Sequence, residues 1–119
     1  MKPGVLARQD DRIVTEAEVE AALDWLRDNA AAIGKAAERS RGAANMIKHV
    51  EALCFKMSEG KSAEARKADA RTTDRYVDAI TEDAIAYGEH ERMKALREAA
   101  AMKIEVWRTQ SSNFRSMKL

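Results

Sequence analysis

Apolar residues recur every three or four positions along most of this chain, which is the spacing of an amphipathic helix. One series runs from about residue 19 to residue 57, and a second runs from about residue 76 to residue 107. No segment alternates apolar and polar residues with a period of two, and no Asn-Gly or Asp-Gly turn joins β-branched runs. The pattern therefore predicts an all-α protein.

The first helix is predicted to begin at Thr15, because Thr15 and Glu18 have the spacing of a capping box. Gly34 and Gly42 interrupt this helix, and each lowers helix propensity by about 1 kcal/mol. No Pro accompanies them, and the apolar spacing resumes after both. We expect one long helix over residues 15–58, and two helices with a bend between the glycines are the alternative.

The first helix is predicted to end near Gly60, a residue suited to the left-handed backbone that terminates many helices. Residues 62–71 are polar and rich in Ala, which predicts either a short helix capped by Ser62 or an ordered connector. A second long helix is expected over residues 74–109, with Thr72 or Thr73 as its cap.

Two amphipathic helices joined by a short connector near Gly60 predict a helical hairpin. Its apolar surface consists largely of Ala, and a lone hairpin leaves one apolar side uncovered, so we expect copies of the chain to form an oligomer. The predicted organisation is a flexible arm over residues 1–14, a helical domain over residues 15–110 and a C-terminal tail over residues 111–119. The residues expected in the core or between copies are large and apolar: Leu23, Leu26, Ile33, Ile47, Leu53, Ile80, Tyr87, Leu96, Ile104 and Trp107.

Charge is distributed unevenly, although the net charge is only +1. Residues 76–91 contain five acidic side chains and no Lys or Arg, whereas residues 92–119 contain seven Lys or Arg and two acidic side chains. A further group of cations flanks the connector. An acidic segment followed by a basic one can pair within the chain, between subunits or with a polyanion.

Aromatic and cationic residues alternate near the C-terminal end, where Trp107 and Phe114 neighbour Arg108 and Arg115. In proteins that bind single-stranded nucleic acid, cations follow the phosphates and aromatic rings stack on the bases. The alternative is a solvated basic surface, with Trp107 closing the core and Phe114 docking on another part of the chain or another subunit. The predicted nucleic-acid-binding residues are cations of the connector and of the C-terminal end: Lys48, Lys56, Lys61, Arg66, Lys67, Arg71, Arg108, Arg115 and Lys118.

Residues that could support catalysis are few, since the chain has two His and one Cys. None of the motifs HExxH, GxSxG, GxxxxGK[ST] or GxGxxG occurs. His49 and Cys54 are five positions apart, which is poor spacing for a pair on one helix face, and no two His have the i, i+4 spacing of metal ligands. We therefore expect a protein that is not an enzyme and that holds neither a metal ion nor a cofactor.

The single cysteine excludes a disulfide within the chain and is typical of a reducing compartment. No apolar run approaches the roughly 18 residues of a membrane span, and no apolar segment typical of a signal peptide follows Lys2. We expect a soluble protein of the cytoplasm without a membrane partner.

The C-terminal sequence AAAMKIEVWRTQSSNFRSMKL carries a family resemblance, together with the upstream segments RYVDAI and HERMKALRE. With the segment ALDWLRD of the first helix, it resembles a group of small phage and prophage proteins that share the pattern Y…L…A…L…A…KIEAWR(T/S)Q…N(Y/F)R(A/S)MK. The resemblance covers roughly residues 19–119. The matching residues are Leu23, Asp24, Trp25, Leu26, Arg27, Asp28, Tyr76, Leu96, Ala99, Lys103, Ile104, Glu105, Trp107, Arg108, Thr109, Gln110, Asn113, Phe114, Arg115, Met117 and Lys118.

This group looks like the UvsY-type recombination mediators of phages. The resemblance implies a small, helical, oligomeric protein that binds single-stranded DNA and helps to load a recombinase or annealing protein onto DNA covered by single-strand-binding protein. The sequence around Gly60 differs from that type in lacking an Arg-Gly-Asp-Gly loop.

The expected function is that of a mediator-like accessory protein of phage recombination in the host cytoplasm. Its expected partners are single-stranded DNA and other copies of the chain, and the resemblance adds a phage recombinase or single-strand-binding protein. One alternative is a phage inhibitor or adaptor that acts on a host complex, for example in anti-defence, through acidic residues 76–91 and without DNA. Another is a structural or assembly protein of the phage particle.

Overall fold

The structure is a computed structural model that describes residues 13–118. In this part of the chain there are three helices, α1 (Glu16–Met57), α2 (Ala63–Ala70) and α3 (Asp74–Lys118), and no strand. The all-α prediction is therefore confirmed.

Each helix begins at a hydroxyl side chain that caps its free backbone N–H groups. At α1, Thr15 Oγ1 accepts from the backbone N–H of Glu18 at 3.2 Å, and Glu18 Oε1 accepts from the backbone N–H of Thr15 at 2.8 Å. Ser62 Oγ and Thr73 Oγ1 each accept from the backbone N–H three residues later, at 3.0 and 3.1 Å. The capping box and both later caps are confirmed.

Helix α1 continues through Gly34 and Gly42 without a break, which confirms the single long helix over the alternative of two helices. The connector contains α2, so the prediction of a short helix capped by Ser62 is also confirmed.

The predicted left-handed backbone at Gly60 is wrong, since no glycine in the described residues has a positive φ. Gly60 is constrained by space: a Cβ built there would lie 3.0 Å from Arg66 N and 3.1 Å from the carbonyl carbon of Ala65. The Ser58 hydroxyl accepts from the backbone N–H of Gly60 at 3.0 Å and donates to Asp69 Oδ2 at 2.7 Å. The loop after α1 therefore holds α2 close to the end of α1.

The predicted C-terminal tail is wrong for residues 111–118, because α3 continues to Lys118. No Gly or Pro follows residue 88. Ser and Asn lower helix propensity by less than about 1 kcal/mol each, so the residues after 109 do not end the helix.

Residues 1–12 of the predicted flexible arm lie outside the described part of the chain. The last two residues of that arm, Ile13 and Val14, are anchored: Gln110 Oε1 accepts from their backbone N–H groups at 3.2 and 3.4 Å. The Gln110 amide also donates to the Val14 carbonyl, and the Val14 side chain is buried. Val14 is therefore part of the packed structure, whereas Ile13 is held through its backbone and its side chain is exposed.

The contacts divide the described chain into two units. Unit 1 contains the described residues up to Asn29 and from Leu96 onward, and unit 2 contains Ala30–Ala95, including α2. In unit 2, Arg39 of α1 pairs with Glu82 of α3 at 2.6 Å.

Alanine forms much of the buried core of each unit. The buried apolar residues of unit 1 are Val14, Val19, Ala22 and Ala100, and those of unit 2 are Ala36, Cys54, Ala70, Ala79, Ala86 and Met93. Small side chains at a helix contact let the helix axes approach closely.

Half of the predicted core or contact residues are exposed in the single chain: Leu23, Leu53, Ile80, Tyr87 and Leu96. The others are half-buried: Leu26, Ile33, Ile47, Ile104 and Trp107. In α3 the buried positions are instead Ala79, Ala86, Met93 and Ala100, spaced seven residues apart. Ile80 and Tyr87 follow two of these positions directly, so they lie about 100° further round the helix. The five exposed residues are therefore not core residues of the single chain, and their role between copies stays a prediction.

Candidate nucleic-acid interface

Six of the predicted DNA-binding cations belong to unit 2. They lie near the end of α1, in the loop that follows it, on α2 and directly after α2: Lys48, Lys56, Lys61, Arg66, Lys67 and Arg71. This part of the prediction therefore corresponds to one region of the fold.

Two of these cations hold the connector together. Arg71 Nε donates to Glu51 Oε2 at 2.6 Å, and this hydrogen bond raises the pKa of Arg71 above its usual value. Arg66 Nε donates to the Gly60 carbonyl at 3.1 Å, and its guanidinium lies 5.9 Å from the centre of the Phe55 ring. A phosphate would have to compete with these contacts, so Arg66 and Arg71 are weaker candidates than the lysines.

The four lysines in the connector and in the part of α1 that precedes it are exposed. No carboxylate of the described residues forms an ion pair with Lys48, Lys56, Lys61 or Lys67. Each of them can approach a phosphate without breaking an existing ion pair, which favours binding to a polyanion. We call these four residues the connector lysines.

An open groove of about 580 Å³ lies between the end of α1 and α2. Residues of one face of α1 form one wall, and residues of α2 from Ala63 onward form the other. The lining residues are Lys48, Glu51, Ala52, Phe55, Ala63, Glu64 and Lys67. We call this the connector groove; two of the connector lysines, Lys48 and Lys67, form part of it.

Phe55, a half-buried ring in the connector groove, is not among the residues predicted from the sequence. It is seven positions from Lys48, and residues seven apart share a helix face. That spacing, together with the cations of the connector, is the signal in the sequence that could have identified it.

The C-terminal cations belong to unit 1. Arg108 pairs with Glu105 of the same helix at 3.3 Å, and Arg115 is exposed. Lys118 is the last residue of α3, and its side chain lies outside the described part of the structure. Arg108 and Arg115 line one shallow surface of α3. The predicted C-terminal cations therefore lie on a different surface from the connector cations.

The two aromatic residues near the C-terminal end differ in their burial. Trp107 is half-buried, whereas Phe114 is 44% exposed. Partial burial of Trp107 favours the interpretation that it closes the core of unit 1, and it leaves Phe114 as the more accessible ring.

The acidic segment, residues 76–91, lies within α3. Glu82 is paired with Arg39 and Glu89 with Arg92, and the segment also carries exposed apolar side chains. Ile85 and Tyr87 are 55% and 56% exposed. The acidic segment is therefore a further candidate region for recognition.

Groups with potential catalytic or metal chemistry are dispersed in the described residues. No three His, Cys, Asp or Glu side chains in this part of the chain are grouped to hold a metal ion. Cys54 is buried, and the Thr73 hydroxyl donates to its Sγ at 3.3 Å. The thiol therefore contributes to the contact between α1 and the start of α3.

Comparison with models of protein families, with curated proteins and with solved structures gives no match for this chain. The resemblance to phage mediators therefore depends on the residues quoted above. In the described residues, no helix combines the length and the apolar character needed to cross a membrane.

Proposed function

We propose that the chain is an accessory protein of phage recombination that binds single-stranded DNA as a homo-oligomer. It assists the loading of a recombinase or annealing protein, as the resemblance to UvsY-type mediators implies. The observation that carries the proposal is the group of connector lysines, which are exposed and form no ion pair with a described residue; two of them line a groove that contains an aromatic ring. We infer that the protein acts in the host cytoplasm, where its DNA partner is found.

The chemistry of the connector favours single-stranded over double-stranded DNA. Lysines supply an electrostatic attraction that is independent of sequence. A ring such as Phe55 can stack only on bases that are not already paired and stacked. The C-terminal Arg115 and Phe114 supply the same pair of chemical groups in unit 1.

A helical hairpin that associates with its copies is the architecture that we propose for this binding. Contacts between α1 and α3 in unit 2, including Arg39 with Glu82, support the pairing of the helices. Exposed Leu23, Ile80 and Tyr87 supply apolar surface that association would cover. Four lysines in one chain bind DNA weakly, and several subunits on one strand multiply that affinity through avidity.

A titration of a fluorescently labelled oligonucleotide at low and at moderate salt tests DNA binding. We expect binding at low salt that weakens as the salt concentration rises, because phosphate contacts release counterions. Absence of binding at both salt concentrations would exclude the proposal.

A variant with Lys48, Lys61 and Lys67 changed to Gln tests the location of the contacts. Its matched control changes Lys35, Arg41 and Lys94 to Gln, which are exposed cations of the same unit away from the connector. Each lost phosphate contact reduces the salt slope by about 0.7, so the connector variant should lose a slope of roughly 2. An equal loss in the control variant would show that the attraction is diffuse.

A second candidate function is inhibition or adaptation of a host protein complex. The specific observation is the acidic segment of α3 with exposed Ile85 and Tyr87, which suits a basic protein surface. A host protein that is captured after nuclease treatment, and lost in the Tyr87→Ala variant, would favour this function over DNA binding. An assembly protein of the particle would instead be found in purified virions.

A further inference from the structure

We propose that the connector groove binds one unpaired nucleobase, which stacks against Phe55 while Lys48 and Lys67 contact the flanking phosphates. This inference rests on the proposed binding of single-stranded DNA and adds the place and the manner in which a base is held. The groove has a volume of about 580 Å³, within the range of sites that bind small organic ligands.

The walls of the groove suit a flat apolar ligand. Lys48, Ala52 and Phe55 are spaced i, i+4 and i+7, so they share one face of α1. Ala63 of α2 lies opposite, and the small Ala52 and Ala63 leave room beside the Phe55 ring. Aromatic rings stack on any base because every base has a π-face.

The Phe55 ring is restrained by a contact within the protein. The Arg66 guanidinium lies over the ring, 5.9 Å from its centre, within the range of a cation–π contact. Arg66 is itself held by the Gly60 carbonyl, to which its Nε donates at 3.1 Å. Phe55 lines the groove and Arg66 does not, so the Phe55 side chain is accessible from the groove. A restrained ring loses little conformational entropy when a base stacks on it.

The charges of the groove complement a nucleotide. Lys48 and Lys67 lie one on each wall, and neither forms an ion pair with a described residue. Glu51, which would repel a phosphate, is neutralised by Arg71 at 2.6 Å. Glu64 also lines the groove and has no cationic partner among the described residues, so we infer that the phosphates follow Lys48 and Lys67 and avoid Glu64.

The experiment compares two fluorescently labelled oligonucleotides of equal length, an oligo(dT) and a strand with abasic sites in place of its bases. Phe55→Leu removes the ring but keeps an apolar side chain. Ala52→Leu fills the groove and leaves the ring intact, and Ala44→Leu makes the same change at an exposed position of α1 outside the groove. Circular dichroism confirms that each variant retains its helix content.

We expect Phe55→Leu and Ala52→Leu to weaken binding of oligo(dT) by roughly 5- to 150-fold, the range that corresponds to the loss of one base–aromatic stack. Both variants should bind the abasic strand as the wild type does, since its phosphates remain, and Ala44→Leu should bind both strands normally. A folded Phe55→Leu variant that binds oligo(dT) with wild-type affinity would overturn the base site while leaving the proposed function intact. Failure of the wild type to bind either strand would overturn both.

Discussion

Gly60 is constrained by the atoms around it and not by its backbone dihedral angles. A Cβ would lie 3.0 Å from Arg66 N and 3.1 Å from the carbonyl carbon of Ala65, and backbone atoms of α2 cannot move aside easily. The same residue presents its carbonyl to Arg66 Nε. One glycine therefore lets α2 lie close to the end of α1 and accepts a hydrogen bond from the arginine that contacts the Phe55 ring.

Gly60→Ala should destabilise the fold by about 1–3 kcal/mol, because the added methyl group overpacks the connector. Gly34→Ala is the matched control: a Cβ there meets nothing within 4 Å, and Ala is the better helix former. We expect the control to stabilise the fold by roughly 0.5–1 kcal/mol. Urea denaturation at a fixed protein concentration measures both changes. Two variants of equal stability would contradict this explanation of Gly60.

Glu89 shows how a neighbouring cation affects a surface carboxylate. Arg92 donates to its Oε2 at 2.8 Å, and this hydrogen bond lowers the pKa of Glu89 below the ordinary value of a Glu side chain. The charges of Arg92 and Arg39 act in the same direction. Because the pKa is lower in the folded state, the pair contributes stability above the ordinary Glu pKa, and that contribution is lost as the pH falls through the folded value.

The Arg92→Gln variant should raise the pKa of Glu89 towards its ordinary value. Titration of the side-chain carboxyl carbon by NMR measures the pKa directly. Arg97→Gln removes another exposed cation of α3 and should leave the pKa of Glu89 unchanged. A pKa of Glu89 that is the same in the wild type and in Arg92→Gln would contradict the assignment.

At the scale of the helices, α3 carries two apolar series that differ by one position. The buried series contains Ala79 and Ala86, and the exposed series contains Ile80 and Tyr87. Both have the spacing of a helix face, so the sequence pattern alone does not distinguish them. The structure buries the alanines because small side chains permit close helix contact, and it leaves the larger residues at the surface.

Ala86→Leu should destabilise the fold by about 1–3 kcal/mol, because Ala86 is 1% exposed and a larger side chain would overpack the contact. Ala84→Leu makes the same change two residues earlier at an exposed position and should alter stability by no more than about 0.5 kcal/mol. Thermal unfolding of both variants provides the comparison. If Ala84→Leu were the more destabilising of the two, the buried series would be the one with Ile80 and Tyr87.

Helix starts and helix continuity could be predicted from the sequence, because both depend on local chemistry. Thr15, Ser62 and Thr73 cap the N–H groups of their own helices, and no Pro interrupts α1 or α3. The anchoring of Val14 by Gln110 could not be predicted, since it joins residues 96 positions apart. The end of α3 could not be predicted from the apolar spacing, which stops near Trp107, whereas the polar residues that follow lower helix propensity too little to end the helix.

At the scale of the whole molecule, the connector concentrates cations that the sequence shows only as scattered charges. The number of these cations follows from the sequence, but which of them already form an ion pair does not. Arg71 is engaged by Glu51, 20 positions away, whereas Lys67 is unpaired. The groove beside Phe55 also depends on how α2 packs against α1, which no local pattern specifies.

The proposed function requires that chains associate, because one chain supplies only four unpaired connector lysines and leaves Tyr87 and Ile85 exposed. Association would cover apolar surface and place several connectors on one DNA strand. We therefore expect DNA binding to depend on assembly of the chains.

Light scattering coupled to size-exclusion chromatography, with and without a single-stranded oligonucleotide, tests this claim most directly. We expect the free protein to have a mass that is a multiple of 13.3 kDa, and we expect that mass to increase when the oligonucleotide is present. A monomer of 13.3 kDa whose mass is unchanged by the oligonucleotide would contradict the account.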